Sequence, residues 1–304
     1  MKTFFTNIIS MIMSALIFVG SIIGIPSMPK GNKVDMSKFE LTFSDEFNGK
    51  KLDKTKWTPH LGSDSKNTVM RHGGYWNLSM AEVKNGCLTI RTKYLKNGVN
   101  KGDPAGWYSC ALDTSEFFNQ KYGYFEIRCK NPIGVGHWSA FWLLNWEMGN
   151  VTGNGENGAE IDILESAFSG KSFLRNRISH CVHYDGYAFP DHKSTIARQY
   201  LTHNNPYTEF NTYSVEWNED EYIFYINGIE SYRTDFGGTS KKPEFMILSV
   251  EVGGADGKPG RSWAGKSFET MGMNYQSEFV IDYVRAYQYK DKTAEATQTS
   301  AEFF

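Results

Sequence analysis

The chain has 304 residues, 40% of them hydrophobic, and a formal net charge of -2 at pH 7. This length allows one large domain or two ordinary ones with a substantial core, and the charge excludes the broad basic surface of a nucleic-acid-binding protein. A neutral polymer is a natural partner for such a surface. The content of 17 Tyr, 21 Phe, 8 Trp and 29 Gly favours aromatic strands joined by tight turns.

The N-terminal segment has the pattern of an export signal. Lys2 precedes an apolar run from about Ile8 to Ile25, and charged residues begin at Lys30. We expect residues 1–27 to be a cleaved secretory signal and the protein to be extracellular. The apolar run is long for such a signal, so an uncleaved N-terminal anchor is the alternative, and only then is a membrane partner expected.

Short runs of alternating polarity fill the chain from Phe39 to about Tyr289, as in 122–128 and 222–226. Asn-Gly pairs of the kind that form two-residue hairpin turns separate several of them. Many strands at this spacing without helical repeats predict an all-β fold, an antiparallel β-sandwich with a cleft where one sheet curves. We expect a single domain over 39–290, a monomer, and a disordered tail over 291–304.

Four cysteines are scattered along the chain, at Cys87, Cys110, Cys129 and Cys181. An even number in an exported protein permits disulfides, with three ways of pairing them. A domain of this size does not need such cross-links, so the residues favour free thiols packed as small apolar side chains.

The most informative segment is the acidic run Glu160-Ile161-Asp162-Ile163-Leu164-Glu165. In a regular strand Glu160 and Asp162 share one face and Glu165 points to the other. A β-bulge around Ile163 and Leu164 would return Glu165 to the acidic face, so that three carboxylates line one groove. Like charges on one face repel, and this arrangement is therefore expected where shifted pKa values serve chemistry.

Two carboxyl groups facing one groove suit the hydrolysis of a glycosidic bond. One carboxylic acid protonates the leaving oxygen while a carboxylate attacks or activates water. Glu160 and Glu165 can supply both groups, and Asp162 can hydrogen-bond one of them and separate their pKa values. The alternatives are an exposed strand face that happens to be acidic and a site for a hard cation such as Ca²⁺.

The acidic run and its flanks resemble glycoside hydrolase family 16, whose bulged members carry Glu-x-Asp-x-x-Glu. The resemblance covers about residues 39 to 289. It extends to five further segments in the family's order: Phe43-Ser44-Asp45-Glu46-Phe47, Tyr122 to Arg128, Gly136-His137-Trp138-Ser139-Ala140-Phe141-Trp142, Glu216-Trp217 with Ile226-Asn227-Gly228, and Ile281-Asp282-Tyr283-Val284-Arg285.

The resemblance implies a β-jelly-roll with a glycan cleft on its concave sheet and a retaining double displacement. It implies that Glu160 is the nucleophile, Glu165 the general acid/base and Asp162 the residue that assists the nucleophile. No cofactor is implied for the chemistry. Many members carry a structural calcium ion on the convex face, and Glu46 and Asp282 are the candidate ligands here. The alternative is that both are ordinary polar residues at strand ends.

Aromatic residues near the acidic run are candidates for substrate binding. Sugar rings present apolar C–H faces that stack on aromatic rings, so Trp138, Trp142 and Trp146 are expected to line the cleft. Residues four apart in a strand share a face, but that face could equally be the core. His183 resembles a family position beside the catalytic strand and could bind sugar or carboxylate, or simply be packed.

The segment Leu248 to Gly257 departs from the family pattern. Laminarinase-like members have a Trp in the corresponding Gly-Gly-Asn-Trp-Pro-Gly-like stretch, whereas this chain has Gly253-Gly254-Ala255 and an added acid at Glu251. The expected function is endo-hydrolysis of β-1,3- or β-1,3-1,4-glucan, with a β-galactan hydrolase or a transglycosylase as the alternative. A non-catalytic carbohydrate-binding sandwich is the alternative from another class.

Overall fold

The computed structural model describes residues 31–167, 176–200, 205–266, 272 and 274–292. The predicted secretory signal over 1–27 lies outside these residues, as does the predicted tail beyond Lys292. In the part of the chain that is described, no helix is both long and apolar enough to cross a membrane.

Strands are the main regular structure of the described residues, with four short 3₁₀ helices at Met36–Lys38, His60–Gly62, Leu78–Met80 and Trp146–Gly149. The strands, numbered in chain order, are β1 Phe39–Asp45, β2 Thr58–Pro59, β3 Val69–Arg71, β4 Gly74–Trp76, β5 Ala81–Lys84, β6 Cys87–Leu95, β7 Gly106–Ser109, β8 Ala111–Asp113, β9 Gly123–Lys130, β10 His137–Leu144, β11 Glu160–Ala167, β12 Arg177–Tyr184, β13 Lys193–Tyr200, β14 Asn211–Trp217, β15 Tyr222–Ile226, β16 Ile229–Thr234, β17 Phe245–Val252, β18 Gly254–Ala255, β19 Lys258–Pro259, β20 Arg261–Ser262, β21 Gly265–Lys266 and β22 Gln276–Tyr289.

Two large sheets carry the fold. Eleven strands form one sheet in the order β16-β15-β14-β9-β22-β6-β7-β4-β3, with β1 also paired to β22 and β5 to β6. Seven strands form the other sheet in the order β13-β12-β11-β10-β17-β8-β2. The strand pairs are antiparallel except β4 with β7. The predicted antiparallel β-sandwich of jelly-roll type is therefore confirmed.

The main core lies between the two sheets. Leu88 and Ile127 of the larger sheet are fully buried together with Phe141, Ile161 and Leu248 of the smaller one. Burying a side chain of this kind contributes about 1.5–3 kcal/mol. Because alternate residues of each strand point into this core, the intervening residues of β10, β11 and β17 form the outer face of the smaller sheet.

The predicted Asn-Gly turns have the backbone geometry that this pair favours. Asn85 and Gly86 join β5 to β6 with φ angles of 55° and 72°, and Asn227 and Gly228 join β15 to β16 with φ angles of 52° and 73°. Positive φ at both central residues is the type I′ conformation, which matches the right-handed twist of the flanking strands.

All four cysteines are free, as the residues favoured. Cys110, Cys129 and Cys181 are buried and Cys87 is half-buried. Three of these thiols therefore pack as small interior side chains.

Candidate active site

A bulge in β11 places the three acidic residues on one face. Phe141 of β10 is paired with Leu164, but the next residue, Trp142, is paired with Asp162, so Ile163 is the extra residue. Ile163 and Leu164 are adjacent in the chain, and both are fully buried in the core between the sheets. Because two consecutive side chains point inward, the alternation of faces shifts by one residue after the bulge. Glu165 therefore lies on the same face as Glu160 and Asp162, as the sequence predicted.

Glu160, Asp162 and Glu165 consequently line one cleft on the outer face of the smaller sheet. This cleft has a volume of about 430 Å³, and Trp138, Trp142 and His183 line it as well. Trp146 lines it too, so the structure brings together the seven residues that the sequence proposed for catalysis and substrate binding.

Burial dominates the electrostatics of the three carboxyl groups. Loss of solvent and the charge of Asp162 raise the pKa of Glu160 to about 8, although His183 and a hydrogen bond from Tyr187 oppose the increase. Burial also raises the pKa of Asp162 to about 8. The pKa of Glu165 is raised well above 4.5, first by burial and then by the neighbouring acids. Each group thus favours its neutral form unless a partner stabilises the charge.

Two side chains from β12 and the loop after it contact the acidic face. His183 lies opposite Glu160 in the strand register, with its Nε2 3.3 Å from Oδ2 of Asp162 and 3.8 Å from Oε1 of Glu160. The Tyr187 hydroxyl donates a hydrogen bond to Oε2 of Glu160. Either contact favours the ionised form of Glu160, which is the form that a nucleophile requires.

Tryptophans line the cleft beside the acids. Trp138 and Trp142 alternate along β10 with residues that point into the core, so they share the outer face with Ala140 and Leu144. The indole N–H of Trp142 donates to Oγ of Ser249, 3.2 Å away. Trp146 follows β10, is 58% exposed, and stacks on His60 at 5.7 Å between ring centroids. The cleft wall thus has the apolar ring surface that a pyranose can stack on.

Glu251 faces the cleft and does not cap a turn. It lies opposite Trp138 in the register of β10 and β17 and is only 4% exposed. Its Oε1 accepts from Nη2 of Arg71 at 2.8 Å, and its Oε2 lies 2.7 Å from Nε2 of His72. Burial alone would raise the pKa of Glu251, but the contacts with His72 and Arg71 outweigh it and lower the pKa.

The two predicted calcium ligands each contact an arginine. Glu46 receives two hydrogen bonds of 2.8 Å from Arg285, and Asp282 forms an ion pair with Arg128. Calcium binding by these two carboxylates stays a prediction. In the part of the chain that is described, the one group of three or more potential metal-ligating side chains consists of Asp162, Cys181 and His183.

Sequence reasoning missed four residues of the cleft: His60, Arg71, His72 and Tyr187. None lies in β10, β11 or β12: His60 begins the second 3₁₀ helix, Arg71 ends β3, His72 follows it in the turn to β4, and Tyr187 lies after β12. Their only signal was residue type, since an Arg-His pair and a Tyr in a Gly-containing turn are common on any surface. The turn between β3 and β4 is brought beside β17 by a long-range contact, a hydrogen bond of 2.8 Å from the Gly73 N–H to the Val252 carbonyl.

The fold and this cleft define a class of enzyme, and comparison with known proteins agrees. The chain belongs to glycoside hydrolase family 16, whose members hydrolyse O-glycosyl bonds and need no cofactor to do so. Within the family, residues 38–289 match the model described as the GH16 domain of β-porphyranases A–D.

Relatives with named activities are similar over most of the described chain. Endo-1,3-1,4-β-glycanase ExsH of Rhizobium meliloti is 28% identical, over 84% of this chain and 53% of the relative, so this chain spans about half the length of that protein. A β-glucanase of Rhodothermus marinus is 26% identical, over 83% of this chain and 86% of the relative. The laminarinase catalytic domain of Thermotoga maritima superposes with a TM-score of 0.64 at 26% identity, covering 83% of this chain and 98% of the domain.

Proposed function

We propose that the protein is a retaining endo-hydrolase of a β-linked polysaccharide, with β-1,3- or β-1,3-1,4-glucan as the substrate. One observation carries the proposal: a bulged strand presents three carboxyl groups, Asp162 buried and Glu160 and Glu165 half-buried, in a tryptophan-lined cleft. The relatives named above as endo-1,3-1,4-β-glycanase, β-glucanase and laminarinase support the glucan and the endo mode of action.

In the proposed reaction Glu160 attacks the anomeric carbon while Glu165 gives its proton to the glycosidic oxygen. The C–O bond to the leaving sugar breaks, and a covalent glycosyl-enzyme forms on Glu160. Glu165, now a carboxylate, then takes a proton from water, and the resulting nucleophile releases the sugar with its original configuration. A sugar hydroxyl in place of water would give transglycosylation by the same steps.

The surroundings of the two glutamates support this division of roles. Glu160 receives the Tyr187 hydroxyl and lies near His183, and both contacts oppose the increase in its pKa. Burial, followed by the charges of Asp162 and Glu160, raises the pKa of Glu165 well above its usual value. The Tyr187 hydroxyl thus favours the ionised form of Glu160, and the surroundings of Glu165 favour its protonated form, as the two roles require. Asp162, which lies between them, assists Glu160.

The charge of the cleft favours a neutral substrate. Four acids line it, Glu160, Asp162, Glu165 and Glu251, against a single arginine, Arg71, whose charge is already paired with Glu251. Among the described residues that line the cleft, no arginine or lysine is therefore free to bind an anionic group of a polysaccharide. A β-galactan is the second candidate, and the match to the β-porphyranase model is the observation that favours it.

A panel of glycans tests the proposal. Release of reducing ends would be measured on laminarin, lichenan, agarose and porphyran with the native protein, Glu160→Gln, Glu165→Gln and the control Glu278→Gln, which alters a carboxylate of β22 outside the cleft. We expect the native protein and the control to cleave a glucan and both cleft variants to lose at least about 10³-fold in kcat. Binding without cleavage by all four proteins would identify a carbohydrate-binding module instead.

The stereochemistry and the export of the protein have separate tests. Proton NMR of the first product should show the β-anomer before mutarotation, and an initial α-anomer would exclude retention.

We further propose that the protein is exported and that it is a monomer. The proposal of export depends on the apolar run over residues 8–25. N-terminal sequencing of the protein recovered from culture medium would locate the cleavage site.

A further inference from the structure

Three side chains that could bind a metal ion meet on the cleft face of β11 and β12. Asp162 lies opposite Cys181 in the strand register, and His183 follows two residues after Cys181, so all three point to the same side of the sheet. Their ligating atoms lie within 4.8 Å of one another. They offer one oxygen, one sulfur and one nitrogen, which is a donor set typical of zinc.

Asp162 has an unused acceptor in this cluster. The residue is 5% exposed, and its Oδ2 accepts no hydrogen bond from any residue that the structure describes. A buried carboxylate oxygen without a donor is costly, and a cation or a proton is the usual remedy. Nε2 of His183 lies 3.3 Å from this oxygen.

The neighbour of His183 prepares its ring for a metal. Nδ1 of His183 lies 2.8 Å from Nε2 of His192, and the two rings stack at 5.0 Å between centroids. When Nδ1–H of His183 donates to His192, Nε2 of His183 presents a lone pair toward Asp162. Nε2 of His183 and Oδ2 of Asp162 lie 3.3 Å apart, which is close enough for both atoms to bind one cation. Metal-bound histidines commonly have this kind of hydrogen-bonded second nitrogen.

We propose that Asp162, Cys181 and His183 form a binding site for zinc or a similarly thiophilic divalent cation, and that the bound ion inhibits the enzyme. Three protein ligands leave a fourth position open toward the cleft. The Cys181 thiol gives its proton to solvent when it binds the ion, and it releases the carbonyl of Thr195 to which it now donates. Tetrahedral zinc sites have ligand-to-ligand distances of about 3.5 Å, so side-chain movements of about 1 Å complete the site.

Inhibition follows from the position of the ion, and this part of the inference depends on the proposed function. A divalent cation on Asp162 would remove the residue that assists Glu160 and would place positive charge beside Glu165, which must hold a proton. Asp162 and His183 also line the cleft, so the ion and its fourth ligand would compete with the glycan. Metal binding itself does not depend on catalysis.

The donor set predicts selectivity among metals. Ca²⁺ and Mg²⁺ prefer sites made entirely of oxygen ligands, whereas thiolate and imidazole select zinc and its neighbours. We therefore expect micromolar Zn²⁺ to inhibit hydrolysis reversibly and millimolar Ca²⁺ or Mg²⁺ to leave it unchanged.

The first test is calorimetric titration of the full chain with Zn²⁺ after removal of metals and in a thiol-free reductant. Native protein and Cys87→Ser should each bind one Zn²⁺, because Cys87 lies on the other sheet, while Cys181→Ser should bind at least about tenfold more weakly. Equal zinc affinity in native protein and Cys181→Ser would overturn the proposal. Thermal unfolding of both variants verifies that they are folded.

The second test uses Co²⁺ as a spectroscopic probe and the rate of hydrolysis. Native protein with Co²⁺ should show a thiolate-to-cobalt charge-transfer band that is missing in Cys181→Ser. Both proteins should hydrolyse glycan equally without metal, and only the native enzyme should lose activity in Zn²⁺ and regain it with a chelator. A cobalt complex of the native protein without the thiolate band would overturn the proposal, even if no substrate were found.

Discussion

His180 hydrogen-bonds through Nδ1 to the carbonyl oxygen of Ile163, the extra residue of the β11 bulge, at 2.7 Å. A carbonyl only accepts, so the Nδ1 atom carries the proton and Nε2 accepts from the Ser231 hydroxyl at 2.8 Å. Burial lowers the pKa of His180 to about 4, which keeps the ring neutral. A bulge interrupts the ladder and leaves polar backbone groups without strand partners. His180 thus satisfies the backbone of the residue that turns Glu165 toward the cleft.

Replacing His180 should therefore affect catalysis without touching substrate. His180→Leu leaves the Ile163 carbonyl buried and unsatisfied, at a cost of about 1–3 kcal/mol in the free energy of unfolding. We expect kcat to fall at least about tenfold with a smaller change in KM, because the positions of Glu160 and Glu165 shift. His180→Asn keeps an N–H donor at the Nδ1 position and should restore most of kcat. Steady-state kinetics and denaturant unfolding of both variants test this, and an unchanged kcat in His180→Leu would contradict it.

The Tyr187 hydroxyl should matter mainly for the ionisation of Glu160. Tyr187→Phe removes the hydrogen bond that opposes the raised pKa of Glu160, so the acidic limb of kcat/KM should move to higher pH. Tyr187 is 62% exposed, and we therefore expect only about a three- to tenfold loss of kcat/KM at pH 6.

A matched control for Tyr187 is Tyr283→Phe. Its hydroxyl donates to Oε1 of Glu126 at 2.9 Å on the larger sheet, far in the topology from the cleft strands. This variant loses a tyrosine–glutamate hydrogen bond of the same type but should keep the native pH profile. Identical profiles for Tyr187→Phe and Tyr283→Phe would show that Tyr187 does not act on the nucleophile.

Much of the fold and the acidic face could be predicted because the signals are local. Alternating polarity has a period of two residues, and a single change of parity in the acidic run is enough to locate the bulge at Ile163. The Asn-Gly turns likewise depend on two adjacent residues whose backbones tolerate positive φ. Such features require no knowledge of which strands become neighbours.

The partners of the acidic residues could not be predicted for the opposite reason. Arg71 and Glu251 are 180 positions apart in the chain, and no periodicity connects them. Glu46 and Arg285 are likewise far apart in the chain, and pairing of β1 with β22 brings them into contact. Charge neutralisation by a distant strand is visible only once the sheets are assembled.

Stability should fall as the pH rises, because the buried acids hold protons in the folded protein. The pKa of Glu160 rises from 4.5 to about 8 and that of Glu165 rises well above 4.5. Below pH 4.5 both the folded and the unfolded chain are protonated at these groups. Between pH 4.5 and about 8 the unfolded chain releases protons that the folded one retains, so the stabilising contribution is lost through this window.

Glu165→Gln should remove part of that pH dependence. The amide cannot ionise, so at pH 8 we expect the variant to be more stable than the native protein by about 1–3 kcal/mol, and its Tm to be higher by several degrees. At pH 4.5 the advantage should disappear. Calorimetry across pH 4.5–8 measures this, with the exposed Glu278→Gln as the control, and a Tm difference that does not vary with pH would contradict it.

The Arg71–Glu251 pair should couple energetically across the cleft floor. Arg71→Met leaves the buried Glu251 with His72 as its remaining partner, and removing one member of a buried pair is destabilising because a charge is left without its counter-ion. Since the Arg71 side chain is 33% exposed and His72 remains, we expect a loss of about 1–3 kcal/mol in the free energy of unfolding. Glu251→Gln removes the charge that Arg71 compensates, so the double variant should recover much of that loss.

A double-mutant cycle measured by urea unfolding gives the coupling energy directly. The neighbouring Trp138 lies opposite Glu251 and contacts His72, with 5.2 Å between ring centroids, so a loosened Glu251 should also raise KM for the glycan. Arg71 and Glu251 lie on different sheets, so their 2.8 Å contact joins the two sheets beside the cleft. Strictly additive effects of the two substitutions on the free energy of unfolding would mean that this contact does not stabilise the protein.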